Sequence, residues 1–547
     1  MIKFLTFFLI VFSVLFLEAQ DVIKENGMVA SAHELASKAG VDILKNGGNV
    51  IDAAIATAFT LSVVEPNASG LGGGGYLVLK MANEDDPVFL DFREMAPGQT
   101  TDDIFYKNKE DFSIITRFGG KSAGIPGMVA GLLDIHKKYG ELPIDVLLNQ
   151  AIKYARNGFE ISSNLSAIIL DKYDIISKYK ETSAIFLLDL LPPPEGTILK
   201  NPQLARSLEL ITENGHAAFY EGSIAHSIVG TIKNEGGLIT LSDLEQYKPE
   251  YRKPVIGTYR GYQIISTAPS SGGGTHLIEL LNILEGYDLK KMDHNSVEYI
   301  HVLAEAMKIV LKDKDKYMGD PAFNNVPVAE LTNKPYANSL RKFISPKNAR
   351  YDFIPDLQKY SESGSTTHLS VVDKERNIIA LTQSINLWFS SGIVAQGTGI
   401  LINNHMADFA DKPGLPNSIE PYKRPVSSIA PTILLKDGKP FLTIGTPGGS
   451  RIIGALAQII INIIDFEMGI DEAIEAPRVH AYGKYLDLEG RIQEETANEL
   501  KKMGHNIRMR EKYDPYFGGA QGIMIKTTTG KLYGGADSRR DGIVVGY

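Results

Sequence analysis

A polar, serine-rich stretch from about residue 352 to Ser365 divides this 547-residue chain, and strand patterns lie on both sides of it. That arrangement constrains the fold more than any other feature. Before the stretch, Leu71-Gly72-Gly73-Gly74-Gly75 leads into Tyr76-Leu77-Val78-Leu79, the pattern of a buried strand, with Val88–Phe92 as its hairpin partner. Tyr259-Arg260-Gly261-Tyr262-Gln263-Ile264-Ile265 reads as a further strand. After it, β-rich segments begin at Thr366 and run over 367–372, 378–385, 431–435 and 441–445, with strands returning around 520–526 and 541–546. Helical periodicity occupies 31–66, in two pieces separated by the helix stop Asn46-Gly47-Gly48-Asn49, then 127–139, 144–157, 201–214, 275–284 and 450–464. Pro192-Pro193-Pro194 marks a surface loop. If strands from both halves share a sheet, an exposed linker can be cut without the pieces separating.

The stretch ends on Ser363-Gly364-Ser365-Thr366-Thr367-His368-Leu369. Taken alone, the threonine pair either opens a strand, caps a turn, or marks a scissile bond. Breaking the Ser365–Thr366 bond makes Thr366 an N-terminus that carries a hydroxyl nucleophile and a free amine on one residue. A hydroxyl needs a neighbouring base to take its proton. An α-amine, with a pKa of about 7.7–8.0, is partly neutral at physiological pH and can serve. In the intact chain the same hydroxyl can attack the Ser365 carbonyl, moving the acyl group from nitrogen to oxygen before water releases the amine.

Two further segments carry compatible chemistry. In Leu381-Thr382-Gln383-Ser384-Ile385-Asn386, strand alternation places residues 382, 384 and 386 on one face. Thr446-Pro447-Gly448-Gly449-Ser450-Arg451 lies between a strand and a helix, where consecutive glycines expose N–H groups at a helix N-terminus and can cradle negative charge.

These stretches, together with Asp91-Phe92-Arg93-Glu94-Met95-Ala96-Pro97, Asn403-Asn404-His405-Met406-Ala407-Asp408-Phe409 and Lys423-Arg424-Pro425-Val426-Ser427-Ser428, resemble the γ-glutamyltransferases of the N-terminal-nucleophile hydrolase superfamily. The resemblance covers nearly the whole chain after residue 20. It implies an α+β fold, the four-layer αββα sandwich of that superfamily, made of two subunits from one self-cleaved precursor: a signal peptide 1–20, a large subunit 21–365 and a small catalytic subunit 366–547. It also implies γ-glutamyl hydrolysis and transfer, on glutathione or glutamine, through an ester on Thr366, with water, amino acids or peptides as acceptors. Ser384 stands where relatives commonly carry a threonine that bonds the nucleophile. Gly448 and Gly449 match the oxyanion donors. Arg93, Ser427 and Ser428 match the groups that hold the substrate α-carboxylate, and Asn386 and Asp408 match acceptors for its α-ammonium. Thr367, the rival nucleophile by position, is assigned supporting hydrogen bonds.

Two departures stand out. His405 occupies a position where relatives place Glu or Gln, and a protonated imidazole there would repel the ammonium and weaken binding toward acid pH. Only Asn417-Ser418-Ile419-Glu420-Pro421-Tyr422 separate Pro416 from Lys423, where many relatives carry a longer lid loop. A missing lid leaves the site open to water and to longer donors such as poly-γ-glutamate. A glutaryl-cephalosporin acylase of the same fold is the nearest alternative enzyme, and a non-catalytic amino-acid-binding protein the alternative outside catalysis.

The net charge of −9 and the absence of a basic tract disfavour nucleic acid and anionic membrane surfaces as partners. The chain has no cysteine, which removes disulfides, thiolate nucleophiles and cysteine metal sites. Lys3 precedes the apolar run Phe4–Leu17 and the polar Glu18-Ala19-Gln20-Asp21, the pattern of a signal peptide cut near Ala19 or Gln20, implying periplasmic or extracellular export. Gly119-Gly120-Lys121-Ser122 is not a phosphate loop, because Ile115 stands where the first glycine is required. Ile452 likewise replaces the closing glycine of a nucleophile elbow. His405 and Asp408 have no visible third metal ligand, so neither metal nor cofactor is expected.

Overall fold

Strands from the two sides of the serine-rich stretch are joined within both large sheets. The computed structural model describes residues 21–107, 109–351 and 365–547, so the expected signal peptide and residues 352–364 of the expected linker lie outside the described residues. One seven-stranded sheet runs Ile543–Gly546, Met28–Ser31, Thr367–Val372, Ile378–Ser384, Gly74–Lys80, Val88–Phe92 and Glu250–Arg252. The second, also of seven strands, runs Val22–Lys24, Leu532–Ala536, Gln521–Ile525, Lys439–Gly445, Thr432–Lys436, Tyr262–Ser266 and Val255–Tyr259. All pairings within the two sheets are antiparallel.

The three central strands of the first sheet are buried along their whole length, so both faces must be covered. The second sheet covers one face. Thr443 Oγ1 donates across to the Ile379 carbonyl at 2.8 Å, and Ser370 Oγ to that of Gln521 at 3.3 Å. His368 sits in this layer between Thr382 Oγ1 (2.7 Å) and Ser370 Oγ (3.0 Å), and burial takes its pKa down to about 3, which keeps the ring neutral. A Cβ on Gly445 would lie 2.2 Å from this ring, so the facing strand needs glycine there. Helices cover the outer faces, Glu34–Lys45 and Val50–Val64 on the first sheet and Gly273–Leu284 and Arg451–Ile464 on the second. The result is a mixed helix-and-sheet fold.

The helix expected over 31–66 breaks at the predicted stop, and Asn49 starts its second piece with a capping box to Asp52. The segment 259–265 is not one strand. Arg260 and Gly261 have φ of 47° and 83°, and these two left-handed residues close a hairpin between Val255–Tyr259 and Tyr262–Ser266. The 21-residue helix Val297–Tyr317 was not anticipated. It anchors the chain that approaches the serine-rich stretch. His301 contacts the Ser345 carbonyl at 2.6 Å and His505 Nε2 at 2.8 Å, while Lys308 donates to Glu305 at 2.7 Å and to the Arg350 carbonyl at 3.0 Å. The ligand atoms of His301, Glu305 and His505 lie within 4.8 Å of one another, but the ammonium of Lys308 already supplies the cation there. Among the described residues no helix is long and apolar enough to cross a membrane.

Candidate active site

Sheet register builds the reactive end of the site. Thr367 pairs with Gln383, so the next antiparallel step brings Thr366 opposite Ser384, and their hydroxyls lie 3.1 Å apart. Thr366 Oγ1 also contacts the Ser365 carbonyl oxygen, to which Ser384 Oγ donates at 3.2 Å. The Asn386 N–H fixes Ser384 by donating to its hydroxyl at 2.8 Å, and Ser365 Oγ donates to the Asn386 carbonyl. Asn386 can turn the chain here because it adopts φ of 81°, a conformation asparagine tolerates better than most residues. The Thr366 hydroxyl thus sits beside the carbonyl that it would have to attack in the uncut chain. Ser384→Ala removes an oxygen from both contacts and is expected to slow cleavage and lower kcat about 10- to 100-fold, at roughly 1 kcal/mol or more per lost bond. Ser384→Thr should retain both, as timed gels and anilide turnover would show.

Thr366 and Ser384 open into a cleft of about 150 Å³, shared with Asn386, His405, Ser427, Ser428 and Gly449 and ending at Arg93 and Asp408. Two expected residues lie elsewhere. Thr367 is fully buried and off the cleft, because alternation along its strand turns it to the opposite face, toward Glu65. Gly448 is buried behind Gly449 and does not line the cleft. With φ of 142° at Gly448 and 59° at Gly449, the turn requires glycine at both places, and it leads directly into the 14-residue helix Arg451–Ile464.

At the far end, Arg93 is 1% exposed and ion-paired to Asp408, with Glu94 at 3.6 Å. Burial pulls the pKa of this guanidinium down, but the Asp408 carboxylate, helped by Tyr76 and Glu94, holds it above the ordinary value. The backbone of Arg93 is held from both sides. Its N–H donates to Asp91 at 2.9 Å, and its carbonyl accepts from Tyr247 at 2.8 Å and from Arg424 at 2.6 Å. Arg424 is itself buried against the Tyr247 ring, 5.5 Å from its centre. His405 Nδ1 lies 2.8 Å from the buried carboxylate of Glu94. Asn417 ties the short turn to the cleft wall, donating to the Asp408 carbonyl at 2.7 Å and accepting from the Val426 N–H at 3.0 Å.

Glu94 and Arg424 lie inside segments singled out from the sequence, yet their parts in orienting Arg93 and His405 were missed. A charged residue in a motif gives no sign of its own burial. Full burial of both, beside a predicted ligand-binding arginine, is the signal that identifies them here.

A sequence model of the gamma-glutamyltranspeptidase family matches residues 36–547. The chain is 40% identical to the glutathione hydrolase proenzyme of Escherichia coli (strain K12), over 96% of this chain and 92% of that protein. It is 36% identical to the acylase ACY 1 proenzyme of Pseudomonas sp. (strain V22), over 96% of this chain and 95% of that protein. The fold is similar to the crystal structure of cephalosporin acylase from Bacillus halodurans, with a TM-score of 0.88, 31% identity and 97% of each chain covered.

Proposed function

This chain belongs to the gamma-glutamyltranspeptidase family, and from that premise we propose that it is a self-processing γ-glutamyl hydrolase and transpeptidase acting on glutathione and related γ-glutamyl compounds. The observation that carries this reading is the Thr366 hydroxyl, set between the Ser365 carbonyl and the Ser384 hydroxyl at one end of a cleft whose other end is a buried arginine–aspartate pair.

In the precursor, Thr366 Oγ1 adds to the Ser365 carbonyl, the carbon–nitrogen bond breaks, and the nitrogen takes the proton to become the α-amine. Water then cleaves the ester, leaving Ser365 with a carboxylate. In the mature enzyme the α-amine removes the hydroxyl proton as the oxygen attacks the γ-carbonyl of the donor, and returns it to the leaving amine. Water or an amino acid or peptide then takes the acyl group from Thr366. The negative charge that develops on the γ-carbonyl oxygen is met at Gly449, the residue of the glycine turn that lines the cleft, and losing one such donor typically costs about 10²–10³ in rate. The facing sheets with helices outside support a four-layer αββα sandwich, processed into subunits 21–365 and 366–547 that share both sheets. Residues 3–21 support export, periplasmic or extracellular.

The acylase relatives keep a second reading in view, and Asp408 decides against it. With no ligand bound, Arg93 and Asp408 neutralise each other. A γ-glutamyl head brings a carboxylate to Arg93 and an ammonium to Asp408, so both stay paired. A glutaryl head takes Arg93 and leaves Asp408 alone. Asp408 retains 29% side-chain exposure, so the cost is about 1–3 kcal/mol rather than that of a fully buried charge. The expected result is γ-glutamyl-p-nitroanilide turning over at least tenfold faster than the glutaryl anilide; equal or faster glutaryl release would overturn the assignment. The short turn at 417–422 supports ready access for water and for long donors.

A further inference from the structure

Outside the cleft lining, the carbonyl oxygen of Thr366 accepts a hydrogen bond from Arg540 Nη1 at 3.1 Å. Arg540 is 7% exposed, its guanidinium lies 4.8 Å from the centre of the Trp388 ring, and its stem occupies space that a Cβ on Gly519 would contest at 2.6 Å. Burial brings its pKa down to about 10; Glu65, Asp537 and Asp541 pull upward, and Arg451 adds to the burial effect. Glu65 ends the helix Val50–Val64, and its Oε2 is shut off from solvent. Its pKa is pushed up to about 7 by burial, against the pull of Arg540 and the Thr367 hydroxyl, with Asp541 pushing the same way as burial.

We propose that Arg540 acts as a positioning residue that fixes Thr366 and keeps its liberated α-amine unprotonated, ready to work as the base, with Glu65 modulating its charge. The inference rests on Thr366 being the self-exposed nucleophile. Amine and carbonyl share one Cα, so a guanidinium bound to that carbonyl lies within about 6 Å of the amine nitrogen. A fixed positive charge at that range disfavours the ammonium form. Glu65 grades the effect. When ionised, it offsets the charge of Arg540. When protonated on the acid side, it no longer offsets that charge, in the range where the amine would otherwise pick up a proton and lose its lone pair.

The test is the pH profile of kcat/KM for γ-glutamyl-p-nitroanilide on cleaved wild type, Arg540→Gln, Arg540→Lys and Glu65→Gln, with cleavage checked by gel. Arg540→Gln should move the acid limb up by roughly one pH unit, and Arg540→Lys should hold it near wild type. Glu65→Gln should move it the other way, by roughly half a unit. Coincident limbs accompanied only by lower kcat would mean a purely structural role and overturn the proposal. If Arg540→Gln is not cleaved, an unmoved limb in Glu65→Gln overturns it. If mass spectrometry of the wild type finds no acyl group on Thr366, the reading of the nucleophile itself has failed, and the role of Arg540 falls with it.

Discussion

Thr366→Ala is expected to run as one band near the 59.9 kDa of the whole chain and to turn over no γ-glutamyl substrate. The same atom is needed twice. Without Oγ1 nothing adds to the Ser365 carbonyl, so the amine is never freed, and without amine and hydroxyl together there is no activated nucleophile. Neighbouring groups do not replace it: Ser384 sits across the sheet, held by the Asn386 N–H, and Thr367 faces away from the cleft. The loss should be on the order of 10⁴-fold or more, as for other covalent nucleophiles. Thr366→Ser keeps the oxygen and should still cleave. The measurement is a denaturing gel with N-terminal sequencing, where wild type should give a small fragment beginning Thr-Thr-His. An intact polypeptide with full activity would end the account.

The second large effect lies at the other end of the cleft. Arg93→Ala removes the proposed fork for the α-carboxylate and also strips compensation from Asp408 and from the fully buried Glu94. Removing one partner of a buried charged group costs about 2–5 kcal/mol. We expect kcat/KM to fall about 10²- to 10³-fold, chiefly through KM, because the head group binds away from the reacting carbonyl. Melting temperature should fall as well. Asp408→Asn discriminates more sharply. It should weaken γ-glutamyl turnover about 10- to 100-fold while leaving the glutaryl anilide unchanged or improved, since the neutral amide spares Arg93 for a lone carboxylate. Steady-state kinetics with both anilides checks this, and an equal loss on both would show that Asp408 does not read the ammonium.

What could be read early and what could not differ by range. Thr366 and Ser384 were legible through the resemblance, with alternation placing 384 on one face with 382 and 386; the register that sets the two hydroxyls together was supplied by the structure. The same alternation, applied one residue further, would have turned Thr367 away from the cleft; attention to its chemistry hid that. The hairpin at Arg260-Gly261 was missed because the apolar run on both sides of it reads as one strand. The Arg93–Asp408 pair spans 315 residues and Arg540–Thr366 spans 174, and no periodicity records either contact. Burial of Glu94 and Arg424 is equally silent in sequence, because a charge is dictated inward only by partners that arrive from other elements.

From its residues alone this protein was determined to be a mixed helix-and-strand chain, since local alternation, glycine turns and helix stops act over a few residues, while the expectation of a nucleophile at Thr366 came from the family resemblance. Only the tertiary structure decided which polar groups face one another: Arg93 with Asp408, His405 with Glu94, Arg540 with the carbonyl of Thr366. The reason is physical. Pairing between buried charges depends on distance through a low-dielectric interior, and that distance exists only once sheets built from both ends of the chain have packed.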